Sequence, residues 1–176
     1  MPTPGKRWFH VTVGTYGSWL PGDPRGFRSK GHKIHSSGDH KRSPPAGEHE
    51  GLHTYSKKIA HVMVVLPAEL REAVGRGFVQ VLIGRGHRVL AVSVSGMHLH
   101  ALAELPGDRP GVKAEIGYAK KGGSRAISKQ LPGRVWARDC GLKLIRDEAH
   151  HLNTFSYVER HVEEGAFVWT FRNGED

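Results

Sequence analysis

Two histidines stand two residues apart in the stretch HLHALAEL, His98 to Leu105. An extended chain sends alternate side chains to opposite faces. His98, His100, Leu102 and Glu104 therefore share one face, and Leu99, Ala101, Ala103 and Leu105 the other. Two imidazoles side by side are what two cis ligands of one metal ion require. The chain holds 13 histidines, enough for roughly one His-x-His pair by chance, so the pair alone reads equally well as two half-exposed strand residues. A second feature lies in DEAHHLNTFSYVERHVEEG, residues 147 to 165. Leu152, Phe155, Val158 and Val162 form an apolar stripe at helical spacing. Tyr157 and His161, four residues apart, project together from a neighbouring face, with Asn153 one turn earlier. A helical tyrosine is ordinarily a core-edge residue. The combination is what points to chemistry: a strand offering two metal ligands, and a helix offering a phenol with a further ligand.

The elements that must position these groups follow from local pattern. Arg7–Tyr16 (RWFHVTVGTY) reads as a first strand. From Trp19 to Tyr55 the composition turns to Gly, Pro, Ser, His, Lys and Arg with no hydrophobic period, which predicts a flexible insertion at about residues 20–55, either a linker or a DNA-contacting flap. His61–Leu66 predicts a brief strand turning at Pro67. Leu70, Val74, Phe78, Val81 and Leu82 predict an amphipathic helix over Pro67–Ile83, ended by Gly84 and Gly86. His87–Ser95 and His98–Leu105 predict two strands joined tightly at Gly96. Pro110 to about Lys121 predicts a second helix stopped by Gly122 and Gly123. Val135, Trp136 and Leu142–Ile145 predict a fourth strand region. Asp147–Glu164 predicts a third helix, capped by Asp147 and closed by Gly165, and Ala166–Phe171 a last strand. The order predicts one domain over residues 1–176, of α+β class: a ferredoxin-like split βαβ antiparallel sheet with helices on one face, followed by a C-terminal helix and strand.

Charge narrows the partners. Lys and Arg number 26 against 17 Asp and Glu, a formal net charge of +9, and such a surplus favours a polyanion. Arg109, Lys113, Lys120, Lys121, Arg125, Lys129, Arg134 and Arg138 form a basic segment opposed only by Glu115, the candidate DNA-binding set. Trp19, Tyr118 and Trp136 are read first as packing residues, with base stacking as the alternative. One cysteine, Cys140, excludes an internal disulfide framework and a cysteine-rich zinc module. No apolar run approaches a membrane span or a signal h-region, so a cytoplasmic protein with no membrane partner is expected. No phosphate-cradling glycine loop is present.

His98-Leu99-His100, flanked by apolar residues, resembles the HUH motif of histidine, bulky apolar residue, histidine. Trp136 and Arg138, then Arg146-Asp147-Glu148, then Tyr157-Val158 resemble the nucleophile region of single-tyrosine HUH transposases, the insertion-sequence 200/605 class and the REP-associated tyrosine transposases. The opening WFHVTVGTYGSWLPGD is similar to the start of many bacterial members. The resemblance spans most of the chain outside about Pro24–Tyr55. It implies that His98, His100 and a third side chain hold Mg²⁺ or Mn²⁺, and that Tyr157 on the C-terminal catalytic helix attacks the scissile phosphate of single-stranded or hairpin DNA. His161 stands where relatives commonly carry Gln or Asn as third ligand, and Met97 where they often carry Asn. A monomer and a homodimer with sites completed in trans are both family arrangements. Two other readings fit the residues: an inactive descendant that binds structured DNA or RNA, and a metal-dependent hydrolase using His98, His100 and acids such as Glu104.

Overall fold

The structure, a computed structural model, describes residues 1–24, 44–60 and 63–173. Five strands make one antiparallel sheet: β1 (Lys6–Gly14), β2 (Val89–Val94), β3 (His98–Pro106), β4 (Gly141–Leu144) and β5 (Phe167–Thr170), in the order β4-β1-β3-β2-β5. Four helices accompany them among the described residues: α1 (Glu50–Ala60), α2 (Ala68–Gly84), α3 (Arg109–Ala126) and α4 (Glu148–Arg160), the last running into a 3₁₀ turn over His161–Glu164. The fold is α+β, and β1, α2, β2, β3, α3 and β4 follow the expected split βαβ order, with β5 added beside β2.

Period-two burial builds two different faces. On β3, Leu99, Ala101, Ala103 and Leu105 turn toward α2 and α3 and join Val11, Val13, Val74, Phe78, Leu82 and Ile116 in the main core. The opposite face meets α4, where Ala91 and Leu102 pack against Phe155 and Val158 in a smaller cluster. Helices therefore cover both faces, two on one and α4 alone on the other. A one-residue slip of β3 would drive His98 and His100 into the main core and Leu99 out of it, so burial holds the register.

Several boundaries differ from the expectation for identifiable reasons. Helix α3 runs through Gly122 and Gly123 to Ala126, because these glycines are where it crosses α2. A Cβ on Gly122 would stand 2.5 Å from the Gly77 carbonyl oxygen and 2.5 Å from a Val81 methyl. The glycines are packing residues, and the helix starts at Arg109, one residue before the expected Pro110, capped by Asp108, whose carboxylate accepts from the Gly111 N–H at 2.7 Å. Residues 63–67 form no strand. Val64 and Leu66 donate single hydrogen bonds to the carbonyls of Tyr16 and Gly96, and residues 61–62 lie outside the described residues. Of the expected insertion, residues 25–43 also lie outside them, while its end is helical from Glu50. Trp136 makes only an isolated bridge to Thr15, ahead of the short β4.

Candidate active site

The β3 alternation delivers His98 and His100 to the α4 face, and α4 brings two groups down upon them. Phe155 and Val158 seat the helix on Ala91 and Leu102, which aims the adjacent Tyr157 and the following turn at the histidine pair. Asp147 starts the helix by accepting from the His150 N–H at 2.7 Å. At the other end the chain tightens into the 3₁₀ turn and closes on Gly165, at φ +74°. His161 sits at this transition. Its Nδ1–H donates to the Tyr157 carbonyl at 2.9 Å, which satisfies a carbonyl of the last helical turn. A carbonyl can only accept, so His161 Nδ1 carries a proton, which leaves Nε2 as its candidate ligand nitrogen.

One ligand nitrogen from each of His98, His100 and His161 lies within 4.8 Å of the others. Ligands about 2.1 Å from a shared ion stand at most about 4.2 Å apart, so this is an open grip that small side-chain rotations close. The donor set fits a divalent ion: three imidazoles, all from one chain. The Tyr157 ring lies edge-on to its neighbours, with centroids 4.7 Å from His161 and 5.3 Å from His100. Tyr157 is 39% exposed while His100 and His161 are 6%, so the phenol stands at the mouth of the cluster.

Burial, with neighbouring positive charge, favours the neutral form of His98, His100 and His10. Burial, reinforced by His98, His10 and His161, brings His100 down to about 3. His98 is lowered by burial and then by His161, with Glu164 opposing. His10 is lowered by burial, then by Lys143, His150 and His161. Neutral imidazoles offer lone pairs rather than competing protons.

His98, His100, His161 and Tyr157 thus come together as a group. His10 and Thr12 join them, and the sequence reading missed both. Each side of His100 carries a hydroxyl across the strand pair, Thr12 on β1 and Ser93 on β2. His10 Nε2 and Thr12 Oγ1 reach His100 Nδ1 at 3.1 and 3.2 Å. The alternation of Trp8, His10 and Thr12 along β1 was the available signal, but it names a face without naming the neighbour. Lys143, exposed on β4, pairs across from His10 on the same face.

The basic segment divides. Lys113 pairs with Asp139 at 2.8 Å, and Lys120 donates to the Ala137 and Arg138 carbonyls at 2.6 and 3.1 Å, so Lys120 is a structural clamp. Arg109, Lys121, Arg125, Lys129, Arg134 and Arg138 are exposed. Those on α3 belong to the helix layer opposite the histidines. The 134–138 segment returns to the site end of the sheet, where Ala137 bonds to the Gly14 carbonyl at 2.9 Å and Gly14 pairs with His98. Trp136 is 6% exposed and its indole N–H donates to the Lys120 carbonyl at 2.9 Å, so it packs rather than stacks on a base. Tyr118 is exposed beneath the Arg85 guanidinium, 4.0 Å from its ring centre, and Trp19 is exposed.

Glu104 takes no part in the cluster. It lies four residues beyond His100, roughly 13 Å along an extended strand. It is fully buried, receives Arg88 at 2.6 and 2.9 Å and the Thr3 backbone, and is held at about 2, chiefly by Arg88. The hydrolase built on that carboxylate has no geometric basis.

No family model matches the sequence, and no curated protein matches it. Among solved structures the chain is similar to a REP-associated tyrosine transposase bound to a REP hairpin. The TM-score is 0.46 and the identity 17%, covering 94% of this chain and 72% of that one. No helix among the described residues is long and apolar enough to cross a membrane.

Proposed function

We propose that this chain is a metal-dependent enzyme of the HUH type, which cuts single-stranded or hairpin DNA and rejoins it through Tyr157, in transposition or a related DNA transaction. The single observation that carries the reading is the meeting of a half-exposed phenol with three histidines from two elements. Mg²⁺ or Mn²⁺ held by His98, His100 and His161 would supply positive charge to the oxygens of the scissile phosphate. The chain's own part is to aim the phenol and to favour the neutral form of His98 and His100. Tyr157 Oη forms a bond to phosphorus as the bond to the 3′ oxygen breaks. The phenolic proton is given up, and the departing oxygen gains one to become a free 3′-OH. The 5′-phosphotyrosine conserves the energy of the phosphodiester, so attack by a different 3′-OH rejoins strands with no other energy source. In this reading His98, His100, His161 and Tyr157 of one chain supply the site. Arg134, Arg138 and Lys143 would contact DNA phosphates beside it, with the exposed α3 cations Arg109, Lys121 and Arg125, and Lys129 in the turn that follows, serving a longer duplex arm.

The test is incubation with labelled hairpin oligonucleotides carrying single-stranded flanks, in Mn²⁺, followed by denaturing electrophoresis. A covalent adduct is expected from the parent protein and none from Tyr157→Phe, which keeps the ring and the fold. His98→Ala with His100→Ala should lose cleavage and retain hairpin affinity, because charge supplies most of that affinity. Free 5′-phosphate products from Tyr157→Phe would replace the reading with hydrolysis. Tight hairpin binding with no adduct over a broad panel would replace it with a binding protein for structured DNA or RNA.

A further inference from the structure

We propose that His10 and Thr12 of β1 are positioning residues that hold His100 in the one neutral tautomer able to present Nε2 to the histidine cluster. This deepens the reading of the cluster as a metal centre and rests on it. Neutral imidazole carries one proton, and its position decides which nitrogen is a ligand. With the proton on Nδ1, His100 donates toward Thr12 Oγ1 and His10 Nε2, and Nε2 faces the cluster with its lone pair free. With the proton on Nε2, the ligand atom is blocked.

The surroundings of the ring favour the first case, because Thr12 Oγ1 and His10 Nε2 can accept from Nδ1, while a proton on Nε2 would meet no acceptor among the described residues. Nδ1 has two polar partners, at 3.1 and 3.2 Å, whereas no described residue hydrogen-bonds Nε2. The other flank offers no rival. Ser93, the β2 neighbour of His100, is 1% exposed, and its hydroxyl has no partner among the described residues. Among the described residues, the hydrogen bonds to the ring therefore come from β1. Register fixes that support, since Thr12 lies directly across from His100 over nine consecutive β1–β3 pairs, and the branched Thr12 side chain is stiff at χ1. His10 is oriented in turn, with its ring centre 5.6 Å from that of Tyr157 and edge-on to it. His161 is fixed in the equivalent tautomer by the Tyr157 carbonyl. Two of the three ligands would then be set by hydrogen bonds behind them, the usual device for orienting metal-binding imidazoles.

The experiment uses the full chain without DNA. Imidazole ¹H–¹⁵N correlation spectra of the metal-free protein at pH 7.5 should place the His100 proton on Nδ1. Calorimetric titration with Mn²⁺ should show affinity falling about 10- to 100-fold in the Thr12→Val, His10→Leu double variant. Thr12→Ser and His10→Gln, which restore an oxygen acceptor near each position, should recover most of it. A His100 proton found on Nε2, or unchanged Mn²⁺ affinity in the double variant, would overturn the proposal. Normal Mn²⁺ binding and the expected tautomer without any DNA adduct would instead overturn strand transfer while leaving the positioning role in place.

Discussion

Acidification should unfold this protein through His100. The ring is 6% exposed and its pKa is brought down to about 3, first by burial and then by His98, His10 and His161, whereas a histidine in the unfolded chain titrates near 6.5. Between those values the folded chain binds fewer protons than the unfolded one. The contribution is therefore fully present above pH 6.5 and is lost as pH falls toward 3. Integration gives a loss of about 2 kcal/mol between pH 7.5 and pH 5, and about 4 kcal/mol at pH 3. His98 and His10, also lowered, act in the same direction, so they must be separated from His100. The fields that depress them come from His161, Lys143 and His150 rather than from His100, and replacing His100 leaves them in place. Urea unfolding of the metal-free protein and of His100→Gln, at intervals from pH 7.5 to 5, isolates the term. The parent should lose about 2 kcal/mol more than the variant over that range, or about 4–8 °C in Tm for a chain of this size. Raised salt should change the difference little, because burial is the leading cause. Equal pH slopes in the two proteins would refute a buried neutral imidazole at this position.

Two further outcomes test the scaffold and the DNA path. Gly122→Ala places a methyl 2.5 Å from the Gly77 carbonyl oxygen and should cost about 1–3 kcal/mol by forcing α2 and α3 apart. Gly84→Ala, which meets open space, should be neutral or slightly stabilising in the same urea measurement, and tolerance of both would contradict the close crossing. Lys143→Ala should weaken hairpin binding similarly for all sequences and reduce the log–log salt slope by about one, as read by fluorescence anisotropy across a salt series. Lys120→Ala, which removes a clamp on two carbonyls, should appear in stability rather than in that slope.

Much of the molecule was written locally. The HLHALAEL alternation assigned His98 and His100 to one face and the core residues to the other, because strand geometry repeats every two residues. The apolar spacing of the last helix, with Asp147 before it and Gly165 after it, placed Tyr157 and His161 together because helix ends and faces depend on a few neighbouring residues. What the order of residues left open was every matter of distance across the chain. Thr12 meets His100 only because the whole β1–β3 register is set by burying Val11, Val13, Leu99 and Ala101 on the far side. That Lys113 lies beside Asp139 and Lys120 beside two carbonyls could not be read from the basic segment alone. Gly122 and Gly123 looked like a helix stop until α2 was found against them. Local pattern specifies which face a side chain uses. Which group waits on that face is decided by the burial energy of all the layers together, a sum no short stretch contains.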